Sequence, residues 1–240
     1  MTRFYQVETS VLYGSVWFLP YDEFARRPLS AGVSAALDRW DTEENVWLPE
    51  DTLPVRTPSA AIAYPTLGRR GGPNAESRRY RARFTASGYA PLYPADGEPF
   101  DAGLTGVEFA TSPYDDTRPP AALAEPRVVR LLPGSAFPYP PFVRTVHGTV
   151  VAAGTSVPNA LVSAAGTTTP DGTAWLERTL TDARGNFRLS LRWQGAPVPA
   201  DPESQSFTVT ATDRPGRTGS LAVRLPADRD RRLVIEIVQQ

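Results

Sequence analysis

The chain has 240 residues, 41% of them apolar and 21% charged, a globular composition long enough for one large or two ordinary domains. Its 25 basic residues are all arginine against 26 acids, and the charge splits as −3 up to Phe142 and +2 beyond it. Neither half therefore has the basic field of a nucleic-acid or anionic-membrane binder. With no cysteine and no lysine, disulfides, thiol nucleophiles, Schiff-base lysines and a P-loop lysine are excluded, while the redox compartment stays open.

In chain order, the opening residues MTRFYQVETSVLYGSVWF lack a basic leader followed by an unbroken apolar stretch. No stretch approaches the roughly 18 apolar residues of a membrane span. The expectation is cytoplasmic synthesis without a signal peptide and without membrane insertion, so that release from the cell would be as part of a particle.

Asp22 to Trp40 carries the one fair helical period, but Pro28 interrupts it ahead of LSAGVSAALDRW, so a strand entered through a turn fits equally. Trp40 and Trp47 bracket the acidic DTEEN in what reads as a long loop, as interface anchors or as a cap folded back on the core. RRYRARFTA alternates, with Tyr80, Ala82, Phe84 and Ala86 on one face and Arg79, Arg81, Arg83 and Thr85 on the other. Arg69, Arg70 and Arg78 lie near in sequence. This densest charge is either a solvated face that discourages edge pairing or a grip on phosphate, sulfated glycan or, preferentially, a protein partner.

Asp96, Glu98, Asp101, Asp115 and Asp116 could offer oxygen ligands but lack the spacing of a calcium loop, and no metal or cofactor is predicted. Residues 112–142 contain eight prolines, the mark of a stiff connecting segment. Within it RVVRLL can add one strand, and Phe137, Tyr139 and Phe142 are too apolar for a free tether, so the segment should pack along the modules. His147 is the only histidine, so zinc ligation or Ser-His-Asp chemistry would rest on it alone. Alternation with Val146 and Val150 makes it structural or solvent-facing, and the chain is predicted not to be an enzyme.

TLTDARGNFRLSL reads as a hairpin turn rather than a polar site. Asp182 can accept backbone N–H groups, Gly185 can take a positive φ, Asn186 tolerates the exit geometry and Phe187 starts the buried face. Further strands follow: Leu189, Leu191 and Trp193 continue inward, then come SFTVTAT and RLVIEIV.

An internal repeat aligns YGSV (13–16), RPLSAGVSAAL and RFTASGY with HGTV (147–150), SVPNALVSAAG and VTATDRPG. The expected fold is all-β: two antiparallel, immunoglobulin-like β-sandwich modules, 1–111 and 143–240, joined by the proline-rich 112–142.

VHGTVVAAGTSVPNALVSA, TDARGNF, SFTVTATDRPGR and RLVIEI, in that order from about Phe142, resemble the carboxypeptidase regulatory-like domain, a transthyretin-like sandwich. DEFARRPLSAGVSAAL and YRARFTASGYAPLY fit the same pattern in the first module, as a divergent second copy. There the T-D-x-x-G-x-F hairpin has no counterpart, and TPSAAIAYPTLGRRGGPNAESRR stands in its place. The resemblance implies an accessory, non-catalytic role. The expected function is a structural or adaptor component of a larger assembly, such as a phage-tail-like or contractile injection particle. Its partners would be other protein subunits, with a homo-oligomer among the arrangements open to it, and Trp40, Trp47, Arg79, Arg81 and Arg83 would form the contact surface. The alternative is a surface-displayed carbohydrate- or ligand-binding module.

Overall fold

The structure, a computed structural model, describes residues 14–65, 67–69, 76–115, 125–168, 172–192 and 205–239. Trp193, Arg70 and Asp116 lie outside the described residues, as does most of the opening stretch. Every regular element among the described residues is a strand. The first module contains β1 (Trp17–Asp22), β2 (Arg27–Pro28), β3 (Val33–Asp41), β4 (Val46–Glu50), β5 (Val55–Arg56), β6 (Ile62–Ala63), β7 (Arg78–Ala86), β8 (Tyr89–Leu92), β9 (Val107–Thr111) and β10 (Arg127–Pro133). The second contains β11 (Thr145–Ala152), β12 (Thr155–Ser156), β13 (Leu161–Thr167), β14 (Ala174–Leu180), β15 (Asn186–Ser190), β16 (Gln205–Arg214), β17 (Arg217–Leu225), β18 (Arg232–Glu236) and β19 (Val238–Gln239).

Each module is a sandwich of two sheets. In the first, β5-β6-β1-β10-β8 faces β4-β3-β7-β9 across a core that includes Phe18, Leu37, Ile62, Tyr64, Phe84 and Leu131. In the second, the sheet built on β11, β15 and β18 faces β14-β13-β16-β17-β19 across Val150, Val162, Phe187, Leu189, Val209 and Ile235. The Asp22 to Trp40 ambiguity resolves as a strand entered through a turn: in β3 Val33, Ala35 and Leu37 face inward while Ser34 and Ala36 are exposed.

The connecting segment is not separate from the modules. Its RVVRLL forms β10, which pairs in parallel with β1 and antiparallel with β8, and buries Val129, Leu131 and Leu132 almost completely. Residues 127–133 thus close the first sandwich, because alternating apolar positions gain more inside a sheet than along its surface. Phe137 and Tyr139 are buried in an aromatic cluster with Phe24, at centroid distances of 4.8–5.5 Å. That cluster closes without Phe142, which is 84% exposed, contrary to the expectation from its apolarity.

The two modules share a central strand order, to which the first adds β8 beside β10 and the second β19 beside β17. In each, a first strand forms a short hairpin (β1–β2, β11–β12) and pairs in parallel with the last long strand (β10, β18). The V-S-A-A strand has matching registers: Val33 and Ala35 face Ala86 and Phe84, as Val162 and Ala164 face Ala211 and Val209. The YGSV match to HGTV is out of register, however. Leu29 N–H donates to the Pro20 carbonyl as Val157 N–H does to that of Val150, so residues 17–20 correspond to 147–150.

The first module also has the hairpin turn that its sequence concealed. Asp182 N–H donates to the Asn186 carbonyl (2.8 Å), Gly185 N–H to the Asp182 carbonyl (2.9 Å) and Asn186 N–H to Asp182 Oδ1 (2.9 Å). Thr57 N–H donates to the Ala61 carbonyl (2.9 Å), Ala60 N–H to the Thr57 carbonyl (3.0 Å) and Ala61 N–H to Thr57 Oγ1 (3.1 Å). The fourth residue has positive φ in both turns, 75° at Gly185 and 71° at Ala60, and the sixth, Phe187 or Ile62, is buried. A hydroxyl has replaced the carboxylate, and alanine bears the left-handed backbone that glycine adopts freely.

The modules meet across a built seam. Leu92 and Leu132 of the first module pack with Leu180 of the second, flanked by Phe100 and Leu161. Glu23 accepts hydrogen bonds from Arg130 in its own module and from Arg178 in the other. Thr179 Oγ1 donates to the Pro133 carbonyl (2.6 Å), and Ala102 N–H to that of Asp213 (2.7 Å). Ser135 donates to Asp182 Oδ2 (3.2 Å), so the hairpin turn also ties the connecting segment down.

A Cβ added at Gly185 would stand 2.9 Å from the Val150 carbonyl oxygen on a backbone that already disfavours L residues. Gly185→Val should therefore cost about 2 kcal/mol or more, read as a lowered urea midpoint. An unchanged midpoint would mean that the turn does not need glycine.

Candidate interaction surface

The alternation of β7 puts Arg79, Arg81 and Arg83 on the outer face of the β4-β3-β7-β9 sheet while Tyr80, Ala82 and Phe84 are buried inside. That face is not a free cationic strip. Arg81 stands directly across from Asp38 in β3 and donates through Nε (3.0 Å) and a terminal nitrogen (2.7 Å) to Asp38 Oδ2. Arg83 donates to Oδ2 (2.8 Å) and Oδ1 (2.9 Å) of the same carboxylate. Arg81 also donates to Thr105 Oγ1 (2.8 Å), and Arg79 pairs with Glu108 from β9. Two carboxylates thus offset three guanidiniums.

The Asp38 side chain is only 3% exposed. Burial opposes its ionisation, but the hydrogen bonds and charges of Arg83 and Arg81 prevail and hold the carboxyl below its usual range. The same carboxylate raises the Arg83 guanidinium. Beneath the sheet, burial, aided by the Asp38 charge, pushes Tyr64 up to about 12, so its phenol stays protonated.

Trp40 and Trp47 do not occupy a long loop. They are directly opposed residues of the β3–β4 hairpin, whose turn is tightened by Asp41 Oδ1 accepting the Glu43 (2.9 Å) and Glu44 (3.1 Å) N–H groups. Asn45 completes that turn at a φ of 61°, so the acidic residues are turn chemistry and the indoles pair as strand neighbours. Their rings meet edge to face at 5.0 Å. The Arg79 guanidinium lies 5.6 Å from both ring centroids and that of Arg81 4.8 Å from Trp47. The tryptophans and the arginines are one cluster: a rigid aromatic and cationic platform in which the Arg79 side chain remains 55% exposed.

Elsewhere the acidic residues are engaged locally. Asp96 pairs with Arg130, Glu98 accepts the Ala95 N–H (3.0 Å) and Asp101 accepts that of Gly103 (2.8 Å). Among the described residues no group of three or more potential metal ligands converges. His147 is exposed on the outer face of β11. Asp182, Gly185 and Asn186 form the hairpin turn, with Asp182 held below the usual carboxylate range: burial opposes this, and N–H groups of Asn186 and Arg184 outweigh it.

Because Asp38 has a lowered folded-state value, its contribution is complete above the ordinary aspartate value of 3.8 and is lost as pH falls through it toward the folded value. Asp38→Asn should cost roughly 1–2 kcal/mol at neutral pH, a modest figure because Arg83 is 44% exposed and its charge is solvent-screened. Below about pH 4 the wild type should lose stability more steeply than the variant, converging on it in pH-dependent denaturation curves. Parallel curves would remove Asp38 as the organising charge.

No protein-family model matches the chain, and no curated protein matches it. Among solved structures it is similar to "Structure of the Streptococcal ancillary pilin", at 14% identity over 97% of this chain and a TM-score of 0.27. The match spans 64% of that structure's chain, and a superposition this loose carries no argument about this chain. What the strand pairing itself establishes is an all-β protein of two β-sandwich modules.

Proposed function

We propose that the chain is a non-catalytic structural or adaptor component of a larger protein assembly, and that a phage-tail-like or contractile injection particle is its setting. The observation that carries this is the seam. Leu92, Leu132 and Leu180, Glu23 with its two arginines, and Thr179 on the Pro133 carbonyl join the modules into one strut. A strut of fixed length and angle presents a contact surface at a defined position, as a subunit of an ordered particle must. The resemblance of the second module to carboxypeptidase regulatory-like domains supports the same accessory role.

The platform of Trp40, Trp47 and Arg79 is the proposed partner contact, since half-buried tryptophans beside an exposed arginine, held rigidly, are the usual anchors of protein interfaces. It favours a protein over a sugar. Guanidiniums already lie over the indoles, and a ring face taken by a guanidinium is unavailable for stacking on a pyranose.

The test is fractionation of cells that make the full chain. The wild type should sediment with a particle and its other subunits, identified by mass spectrometry. Leu180→Asp, which leaves both cores intact but opens the seam, should keep its sheet circular dichroism and drop out of that fraction. A chain that stays soluble and is instead retained on immobilised polysaccharide, with retention lost in Trp47→Ala, would replace this function with the carbohydrate-binding alternative.

A further inference from the structure

The outer face of the β5-β6-β1-β10-β8 sheet receives the second module, which covers one end of it. There Leu132 stands opposite Ala90 and Arg130 opposite Leu92, and Leu180 packs on Leu92 and Leu132. Along β1 the burial alternates, so that Phe18 and Pro20 go inward while Trp17, Leu19 and Tyr21 face out. Pairing sets Leu19 beside Val128, and Trp17 in line with Ala63 and Val55. Directly opposed residues share a face, so the seam runs on into an apolar patch of Trp17, Leu19, Val55 and Val128. Trp17 and Leu19 are half-buried, while Val55 is 43% and Val128 47% exposed.

The second module shows what the same positions hold when they face water. Residues 17 and 19 correspond to 147 and 149, and Val128 beside Leu19 corresponds to Val234 beside Thr149. On that outer face His147 lies between Arg188 and Arg232, with Thr149 in the next row. A sheet with one solvated face carries polar residues on it. Tryptophan and leucine in the places of histidine and threonine therefore mark a face that another surface covers.

The patch itself is uncharged, and the arginines at its border are engaged elsewhere. Arg130 pairs with Glu23 and Asp96, Arg127 donates to the Glu108 carbonyl (3.1 Å) and Arg56 to the Ser30 carbonyl (3.1 Å). A charged partner surface would lose its hydration here without gaining a counter-charge. An identical patch brings no such loss and no opposition of like charges, so this surface is complementary to itself.

We propose that the chain forms a two-fold symmetric dimer in which the patch of Trp17, Leu19, Val55 and Val128 packs, sheet face to sheet face, on the same patch of a second copy. The contact extends the apolar seam of each chain across the two-fold axis, and it closes at two copies because each offers the patch once. Trp40 and Trp47 lie on the opposite sheet of the same sandwich, so both platforms stay on the far sides of the pair. The dimer does not depend on which particle the chain joins.

Sedimentation velocity of the full chain over rising concentration should show a shift from monomer to dimer that stops at twice the monomer mass. Val128→Arg and Val55→Arg should each abolish the dimer and leave thermal unfolding of the monomer unchanged, since both positions are exposed within one chain. Val234→Arg, at the corresponding position of the second module, should dimerise like the wild type. A wild type that is monomeric at every soluble concentration, a mass that grows past the dimer, a dimer that persists in either Val128→Arg or Val55→Arg, or equal loss in Val234→Arg overturns the proposal. A monomeric chain that still sediments with a particle would leave the adaptor function standing, and a dimer absent from every particle would remove only that function.

Discussion

Glu23 occupies the point where the two sandwiches become one body. Its carboxylate sits in the turn between β1 and β2, is 12% exposed, and is shared by a guanidinium from each module. Such a group is costly to bury unpaired, and here its second guanidinium is supplied only when both modules stand in register. The apolar contact of Leu180 with Leu92 and Leu132 supplies burial, but burial alone would tolerate sliding. The carboxylate, together with Thr179 on the Pro133 carbonyl, fixes the relative position. Small sandwiches bury a limited share of their surface, and joining two at their ends extends the core of both.

The second organising device is the six-residue turn that appears once per module. An oxygen at its first position collects the N–H of the fifth, and the fourth turns through the left-handed region. That geometry delivers Ile62 or Phe187 into the core at the same place relative to the first strand: Ile62 faces Phe18, and Phe187 faces Gly148. The pairing also exchanges bulk. A Cβ at Gly148 would lie 2.4 Å from the Leu233 carbonyl oxygen, so the second module admits no side chain where the first has Phe18. Sequence divergence has redistributed volume while the turn and the pairing of the first strand stayed fixed.

Period-two alternation made the strands legible, because RRYRARFTA and NFRLSL state which side chains go inward. TDARGNF was legible for the same reason: an acceptor, a glycine and an aromatic at fixed spacing have one economical geometry. Its partner TPSAAI was not, since threonine and alanine are common in every context and nothing local announces a positive φ at Ala60. The platform was half visible. Arg79, Arg81 and Arg83 share a face by alternation, but Asp38 lies more than forty residues away in sequence, and its choice of Arg81 and Arg83 is set by cross-strand register. Trp40 and Trp47 read as loop residues because DTEEN is acidic, when Asp41 and Asn45 were in fact turn residues of a tight hairpin. The sequence signal for that hairpin was present in the tryptophans themselves, aromatic residues placed symmetrically about a polar run.

The parallel pairing of first and last strands, β1 with β10 and β11 with β18, has a mechanical consequence. Parallel neighbours at the two ends of a module let the chain enter at one pole and leave at the other. Tension applied between the poles then loads the hydrogen bonds of that pair in shear, all together, rather than peeling them one at a time as it would in an antiparallel hairpin. The route continues past β18, where Ile237 passes between the sheets and β19 joins β17, with the Glu236 carbonyl lying against Gly219 where no Cβ would fit. Force borne by the last strand is thereby divided between both sheets of the second sandwich.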